Sequence, residues 1–275
     1  MKNDIKNIST VLFRKYGIDI SMYEDSFLKM SLEKRMTVNN SPSFSDYCNI
    51  LAENRTEAGL LFDSLHINFS EFFRNPLTFD YLEKFILPII IERKKQNDEK
   101  EIRIWCAACA KGEEAYSIAM LFEEIAANSE LSLNCRIFAT DINEKEIGLA
   151  QMGVYQEAAL SKVSLNRAKR FFTQRGEKYT VIHKLKEYID FSVFDLLIET
   201  GHCPPASIYG NFDLVFCCNL LFYYKPEYRQ RILNKAGDSI AKNGYLVTGE
   251  TEREIAKKQQ FKEVFANSAI FQKRG

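Results

Sequence analysis

One stretch limits the fold of this chain more than any other: residues 102–118, which read I-R-I-W-C-A-A-C-A-K-G-E-E-A-Y-S-I. A short apolar run (Ile102, Ile104, Trp105) passes through Ala107, Ala108, Ala110 and Gly112 into a segment that opens with Glu113 and Glu114. Strand, small-residue turn and helix is the order that presents backbone N–H groups and a helix N-terminus to a ligand. Gly112 supplies conformational freedom at the turn, and the small side chains let a ligand lie close to the backbone. Complementing the helix dipole is one sufficient reason for two carboxylates in the first turn. The same carboxylates repel a phosphate. The turn therefore suits a ligand with positive charge, such as an ammonium or a sulfonium.

Downstream, apolar runs alternate with helical stripes, which predicts a doubly wound α/β domain over 102–275. Ala115, Ile118, Ala119, Phe122, Ile125 and Ala126 make one helical stripe, and Cys135–Thr140 makes a second strand ending at Asp141. An acidic residue there can accept hydrogen bonds from both ribose hydroxyls of an adenosine-containing ligand. Its alternative role is to cap the helix expected at 143–152. A third strand, 188–194, ends at Asp195-Leu196, and a fourth, 212–218, ends at Asn219. Both ends lie where open α/β sheets bind ligands. Pro226 opens a helix that Asn243-Gly244 is expected to close, followed by a fifth strand at 245–249 and an antiparallel pair within 261–273. Residues 153–187 break the alternation and read as an insertion, with a hairpin turning at Arg175-Gly176-Glu177.

Upstream, residues 1–75 predict a small helical domain. Ile8, Val11, Leu12 and Tyr16 recur at helical spacing before Gly17, and Ser21 with Glu24 and Ser43 with Asp46 mark two further helix starts. Lys29, Lys34 and Arg35 give the second helix a basic side. In 66–75, H-I-N-F-S-E-F-F-R-N, polar and aromatic residues alternate outside either regular period, so Asn68, Ser70 and Arg74 are candidates to face one site together. Residues 76–101 read as a linker helix and an exposed charged connector.

Composition excludes several classes. Net charge is zero, which argues against a nucleic-acid partner. No apolar run approaches the roughly 20 residues that cross a bilayer, so no membrane insertion is expected. No signal-peptide core follows Met1, and the seven cysteines lack disulfide-scaffold spacing, which predicts reduced thiols in a cytoplasmic protein. Cys106 and Cys109 form one C-x-x-C, but no second pair or His pair stands at zinc spacing. Packing at a tight turn is the expected role, and no metal site is predicted.

Five segments together resemble the CheR-type chemotaxis receptor methyltransferases, in the family's order: F-S-E-F-F-R-N (69–75), I-W-C-A-A-C-A-K-G-E-E-A-Y-S-I-A-M (104–120), A-T-D-I (139–142), F-D-L-V-F-C-C-N-L-L-F-Y-Y (212–224) and G-Y-L-V-T-G-E-T-E (244–252). The resemblance implies a Rossmann-like class I methyltransferase domain with a small insertion, behind an all-α N-terminal domain. It implies S-adenosyl-L-methionine as cofactor and S-adenosyl-L-homocysteine as product. The implied reaction is methyl ester formation on glutamates of a methyl-accepting chemotaxis receptor's cytoplasmic domain; a monomer is expected. By position, Asn68, Ser70 and Arg74 match the family's Asn, Thr and Arg over the cofactor. Glu113 or Glu114 matches the acidic position near the methionine amino group, and Asp141 matches the ribose carboxylate. Asp195-Leu196 matches Asn-Leu beside the adenine, and Cys218-Asn219 matches the Arg-Asn pair near the methionine moiety and methyl group. Tyr223 matches an aromatic of the same segment. Arg74, Asn219 and Tyr223 are the candidate catalytic residues.

The chain departs from the pattern at defined places. Cys218 stands for Arg, Asp195 for Asn, Gly249-Glu250-Thr251-Glu252 for Gly-His-Ser-Glu, and Ser31 for the first Arg of a basic helix pattern; the insertion is short. These departures keep two alternatives open. One is a signalling module that binds S-adenosylmethionine or S-adenosylhomocysteine with altered or lost turnover. The other is a methyltransferase acting on another substrate, with Asp195, Glu250 and Glu252 as candidate general bases.

Overall fold

Apolar residues at helical spacing close the core of the first of two units. A computed structural model describes residues 2–65, 69–127, 133–198, 201, 203–207, 209–259 and 261–273. By packing, residues 1–67 with 222–229 form one unit, and residues 68–221 with 230–275 form the other. The helical unit comprises α1 (Lys2–Tyr16), α2 (Asp25–Val38), α3 (Phe44–Glu53) and α4 (Arg55–Leu65). Ile8, Leu12, Leu32, Tyr47, Leu51 and Leu61 are wholly buried between them. Gly17, at φ 70°, ends α1 in the left-handed conformation that glycine adopts freely. Ser43 caps α3 by accepting the Asp46 N–H at 3.2 Å.

The start of α2 differs from the sequence expectation. Its N-cap is Glu24, and no side chain caps it. The Glu24 carboxylate pairs instead with Arg229, while its N–H donates to the Tyr223 carbonyl at 2.8 Å. Residues 222–229 thus belong to this unit. Tyr23 and Tyr224 form an antiparallel bridge with stacked rings 5.1 Å apart, and Tyr223 packs on Phe27 at 4.9 Å. Arg35 is not part of a solvated basic face, because its guanidinium is paired with Glu57, which also accepts the Tyr47 hydroxyl at 2.6 Å. Burial opposes ionisation of Glu57, but these hydrogen bonds win and hold its carboxyl below the usual range.

The α/β unit begins earlier than residue 102. The run from α5 (Pro76–Tyr81) through a π-helical turn (Leu82–Ile86) into α6 (Leu87–Gln96) buries Phe79, Leu82, Ile86, Leu87 and Ile90 in the α/β core. These residues are a helical layer rather than a linker. The charged run after them is anchored too: Lys94 is buried and pairs with Glu99 at 2.5 Å and Asp213 at 3.1 Å.

From there the chain alternates as expected: β1 (Glu101–Ala107), α7 (Glu113–Ala127), β2 (Asn134–Asp141) and α8 (Glu144–Met152). The insertion follows, with β3 (Val154–Gln156), α9 (Leu165–Phe171), β4 (Phe172–Arg175), β5 (Lys178–Val181) and α10 (His183–Lys186). Then come β6 (Ile189–Val193), β7 (Phe212–Cys217), α11 (Pro226–Ser239), β8 (Ile240–Thr248), α12 (Arg253–Lys257), β9 (Phe261–Glu263) and β10 (Ile270–Lys273). The main sheet has the order β6-β2-β1-β7-β8-β10-β9. Its first five strands are parallel, and β10 and β9 close it antiparallel. This is a Rossmann-like sheet, in which the ends of β1, β2, β6, β7 and β8 share one edge. Trp105, Phe138 and Phe212 meet on one face with ring centroids 5.5–5.6 Å apart.

The insertion forms its own small sheet, β3-β5-β4, with the hairpin turning at Gly176 as its sequence predicts. Asn243-Gly244 closes no helix. Instead α11 ends at Ser239 and the chain runs directly into β8, with Asn243 at φ 62° and a register irregularity opposite Phe212–Leu214. A Cβ on Gly244 would lie 2.9 Å from the Phe212 carbonyl, so the bulge presses on its neighbouring strand.

Candidate functional site

The turn after β1 carries three left-handed residues. Ala108, Ala110 and Gly112 have φ of 61°, 47° and 87°. A Cβ on Gly112 would sit 3.1 Å from both Ala150 and Phe191, so glycine there serves close helix and strand approach as well as its backbone angle. The turn is tied to the neighbouring strand: Cys109 N–H donates to the Thr140 carbonyl at 2.8 Å, and Ala110 N–H to Asp141 Oδ2 at 2.9 Å. Asp141 Oδ1 accepts the Asn143 N–H at 2.9 Å. The cap of α8 is Asn143, whose side chain accepts the Lys145 N–H at 3.0 Å. Asp141 therefore does not cap that helix, and its half-buried carboxylate links the β1 turn to the end of β2.

Residues 69–75 dock on the first turn of α7. Phe72 and Phe73 are buried, and Phe73 turns the chain at φ 50°. Its N–H donates to Ser117 Oγ at 3.0 Å, and the Ser117 hydroxyl donates to the Glu113 carbonyl at 2.7 Å. That geometry brings Ser70 within hydrogen-bonding reach of the Glu113 carboxylate and sets the Arg74 charge near Glu114. Arg74 also lies over the Phe69 ring at 5.1 Å and donates to the Phe69 carbonyl at 3.0 Å. Asn68 lies outside the described residues.

The electrostatics at this edge are acidic and poorly compensated. Glu113 is 3% exposed, and its Oε2 has no hydrogen-bond partner. Burial raises its carboxyl above the ordinary value, against the Ser70 hydrogen bond and the Lys111 charge. Burial pushes Glu114 up to about 7, opposed by a hydrogen bond with Cys218 and by Arg74, and reinforced by the Glu252 charge. Burial and Glu114 in turn push the Cys218 thiol well above its usual value. Cys106, Cys109 and Cys217 are buried thiols raised in the same way, which suits packing rather than nucleophilic or redox chemistry.

Asn219 follows β7 at φ 57°, and its Oδ1 is buried without a partner. Its neighbour across the sheet edge is Glu252, wholly buried, whose two oxygens accept backbone N–H groups from Asn219, Leu221 and Gly249 at 2.6, 2.6 and 2.9 Å. A carboxylate so engaged is not a free general base, which corrects that expectation for Glu252. The loop after β6 is also pinned. Asp195 Oδ1 accepts the Leu197 N–H at 2.8 Å, and Phe194 N–H donates to the Asp141 carbonyl at 2.9 Å. Arg231 and Lys235 of α11 donate to the carbonyls of Leu197 and Ile198 at 3.0 and 2.6 Å. Nothing in the local sequence pattern marked those two cations; they reach the loop only through the fold. Asp195 and Leu196 share the same strand edge as Asp141. Tyr223 packs within the helical unit.

The structure thus sets Ser70 beside Glu113 and Arg74 and Cys218 beside Glu114, joins Asn219 to Glu114 only through Glu252, and leaves Asp141 at the adjoining strand end. Two buried acceptors without protein partners, Glu113 Oε2 and Asn219 Oδ1, fit a ligand rich in donors and positive charge. S-adenosylmethionine, which carries an ammonium and a sulfonium, has that charge pattern. Among the described residues, no cluster of three His, Cys, Asp or Glu side chains has the arrangement of a metal site. No helix of the described residues is long and apolar enough to cross a membrane.

Comparison with known proteins gives the family of both units. The model for the all-alpha domain of CheR methyltransferases matches residues 3–66, and that for their SAM binding domain matches residues 68–270. The chain is similar to the chemotaxis protein methyltransferase of Borreliella burgdorferi, 29% identical over 91% of this chain and 88% of that one. A chemotaxis protein methyltransferase of Listeria monocytogenes is 27% identical over 92% and 91% of the two chains. A 104.1 kDa uncharacterized protein of Rhodobacter capsulatus is 32% identical over 91% of this chain but only 25% of its own length. The α/β unit is an S-adenosylmethionine-binding methyltransferase domain.

Proposed function

We propose, since the chain belongs to the CheR methyltransferase family, that it forms methyl esters on glutamate side chains of a methyl-accepting chemotaxis receptor's cytoplasmic domain. Such a protein works in the cytoplasm. The observation that carries the choice of nucleophile is the engagement of Glu252: the carboxylate nearest Asn219 is wholly buried and accepts three backbone N–H groups. A glutamate substrate is ionised at neutral pH and needs no base to activate it, whereas an alcohol or ammonium substrate does.

In this reading Ser70, Glu113 and Glu114 hold the methionine end of S-adenosylmethionine, Asp141 holds its ribose, and Asp195-Leu196 lie beside its adenine. The bound cofactor supplies a methyl group on a positively charged sulfur. Asn219 and Cys218 flank the methionine moiety, and Arg74 orients a carboxylate of substrate or cofactor by paired N–H donation. Exclusion of water by this buried edge favours a step in which opposite charges are neutralised. Asn68 is proposed as a further cofactor contact.

Cys218 favours a second reading, in which the site binds the cofactor with reduced or no turnover. In place of a guanidinium, a neutral thiol is hydrogen-bonded to Glu114. One experiment separates the readings. S-adenosylmethionine carrying a labelled methyl is mixed with the protein and a receptor cytoplasmic fragment, and the product is treated with alkali. Label released as methanol supports a glutamate ester, since amines and ethers keep theirs. Calorimetric binding without transfer supports the second reading, and no binding sinks both.

A further inference from the structure

The segment Gly249-Glu250-Thr251-Glu252 follows β8 as Asn219-Leu220-Leu221 follows β7, and the two strands are parallel neighbours paired Cys217 to Thr248. Strand adjacency therefore sets the two turns side by side. Glu252 Oε2 accepts both the Asn219 N–H at 2.6 Å and the Gly249 N–H at 2.9 Å, while Oε1 accepts the Leu221 N–H at 2.6 Å. Its own N–H donates back to the Gly249 carbonyl at 3.0 Å. The carboxylate thus closes one turn and grips the other. That grip holds Asn219 at φ 57°, a left-handed conformation that asparagine tolerates better than other residues with a side chain but does not adopt by default. Gly249 completes the clamp from the other side, because a Cβ there would lie 2.5 Å from Asn219 Nδ2. Between the two, the Asn219 amide is fixed with its Oδ1 buried and without a protein partner.

We propose that Glu252, with Gly249, is the positioning element of this site: it locks the left-handed turn at Asn219 so that the amide is presented to the cofactor. The inference rests on the methyltransferase reading of the site. Glu252 touches no reacting atom and acts through Asn219.

The test has two arms. In the ligand-free protein, amide hydrogen exchange is followed at 219–221 in Glu252→Gln and in Gly249→Ala. A glutamine cannot accept three N–H donors, because its NH2 group must oppose one of them. Exchange at 219–221 is expected to rise at least tenfold in Glu252→Gln, with β1 and β2 unchanged, and unchanged exchange at 219–221 overturns the proposal. In the second arm, S-adenosylhomocysteine binding is measured by calorimetry. Each substitution is expected to weaken binding about tenfold, the scale of one lost hydrogen bond to a charged group. Combined with Asn219→Ala, neither is expected to weaken it further. Losses that add fully to those of Asn219→Ala, or a fall in thermal midpoint with unchanged affinity, overturn the proposal. If Glu252→Gln does not fold, Gly249→Ala alone decides, since its Cβ presses on both halves of the clamp, Asn219 Nδ2 at 2.5 Å and Glu252 Oε2 at 2.8 Å, and keeps the carboxylate's charge. A wild-type protein that binds no S-adenosylhomocysteine removes the methyltransferase reading, while the exchange arm still judges the clamp.

Discussion

Two wholly buried carboxylates stand at opposite ends of the same sheet and are treated differently. Asp213, near the start of β7, meets the Arg93 guanidinium at 2.5 Å, the Lys94 ammonium at 3.1 Å and the Arg103 N–H at 3.0 Å. Glu252, beyond the end of β8, meets only backbone N–H groups, and Glu113 nearby keeps one oxygen without a partner. One end spends full cations on its buried anion; the other supplies neutral dipoles, with Arg74 and Lys111 acting only as neighbouring charges. The difference teaches which end is structural. A neutralised buried charge stabilises a fold, whereas an under-compensated acidic cluster is a standing attraction for a cation.

The contrast is broken most severely by Asp213→Ala, which leaves the buried Lys94 with only the half-exposed Glu99 and takes the carboxylate from the partly buried Arg93. A loss of about 3–5 kcal/mol is expected in denaturant unfolding, with cofactor affinity of the folded protein unchanged. Asp141→Ala should do the reverse, weakening S-adenosylmethionine binding roughly 10- to 100-fold in calorimetry by removing hydrogen bonds to a charged acceptor. A smaller effect is expected from pH. The Glu114 carboxyl is raised from 4.5 to about 7, so it is protonated below that and ionised above it. Affinity for the cationic cofactor should therefore fall as pH drops through 7, by at most about tenfold per unit for one proton, and Glu114→Gln should flatten the profile. The ligand-free protein should show the opposite trend. A raised carboxyl contributes stability that is present below 4.5 and lost as pH rises through about 7. Smallest of all, Glu113→Gln should stabilise the ligand-free protein by about 1 kcal/mol in thermal unfolding while weakening the cofactor. A destabilised Glu113→Gln would mean that the unpartnered oxygen does not strain the fold.

Much of this was legible in the sequence where the signal is local. The Ile102–Ile118 turn encodes part of its geometry, since glycine suits the left-handed angle and close approach at Gly112, while Ala108 and Ala110 hold left-handed angles that alanine does not favour by itself. Asp141 could be placed at the end of the second strand, and the α/β class followed from the alternation of strands with helices. What stayed hidden depends on distant partners. Lys94 lies in a run that reads as exposed charge, and it is buried only because Asp213 is brought to it. Ser21 and Glu24 have the spacing of a capping box, but Arg229 takes the carboxylate. Asn243-Gly244 carries a signal that serves a helix end and a strand bulge equally well, because both use a left-handed residue followed by glycine. Glu252 reads in sequence as one of three candidate bases, and only the adjacency of β7 and β8 engages its carboxylate.

The helical unit draws on two separate parts of the chain, 1–67 and 222–229. On the ribosome, the first part emerges long before the second. Until residue 229 is synthesised, Tyr23 lacks its bridge to Tyr224, Phe27 lacks the Tyr223 ring, and Glu24 lacks Arg229. The amino-terminal helices must therefore wait, with one aromatic edge uncovered, while more than half of the protein is translated. The last step in assembling the first domain comes late in the chain.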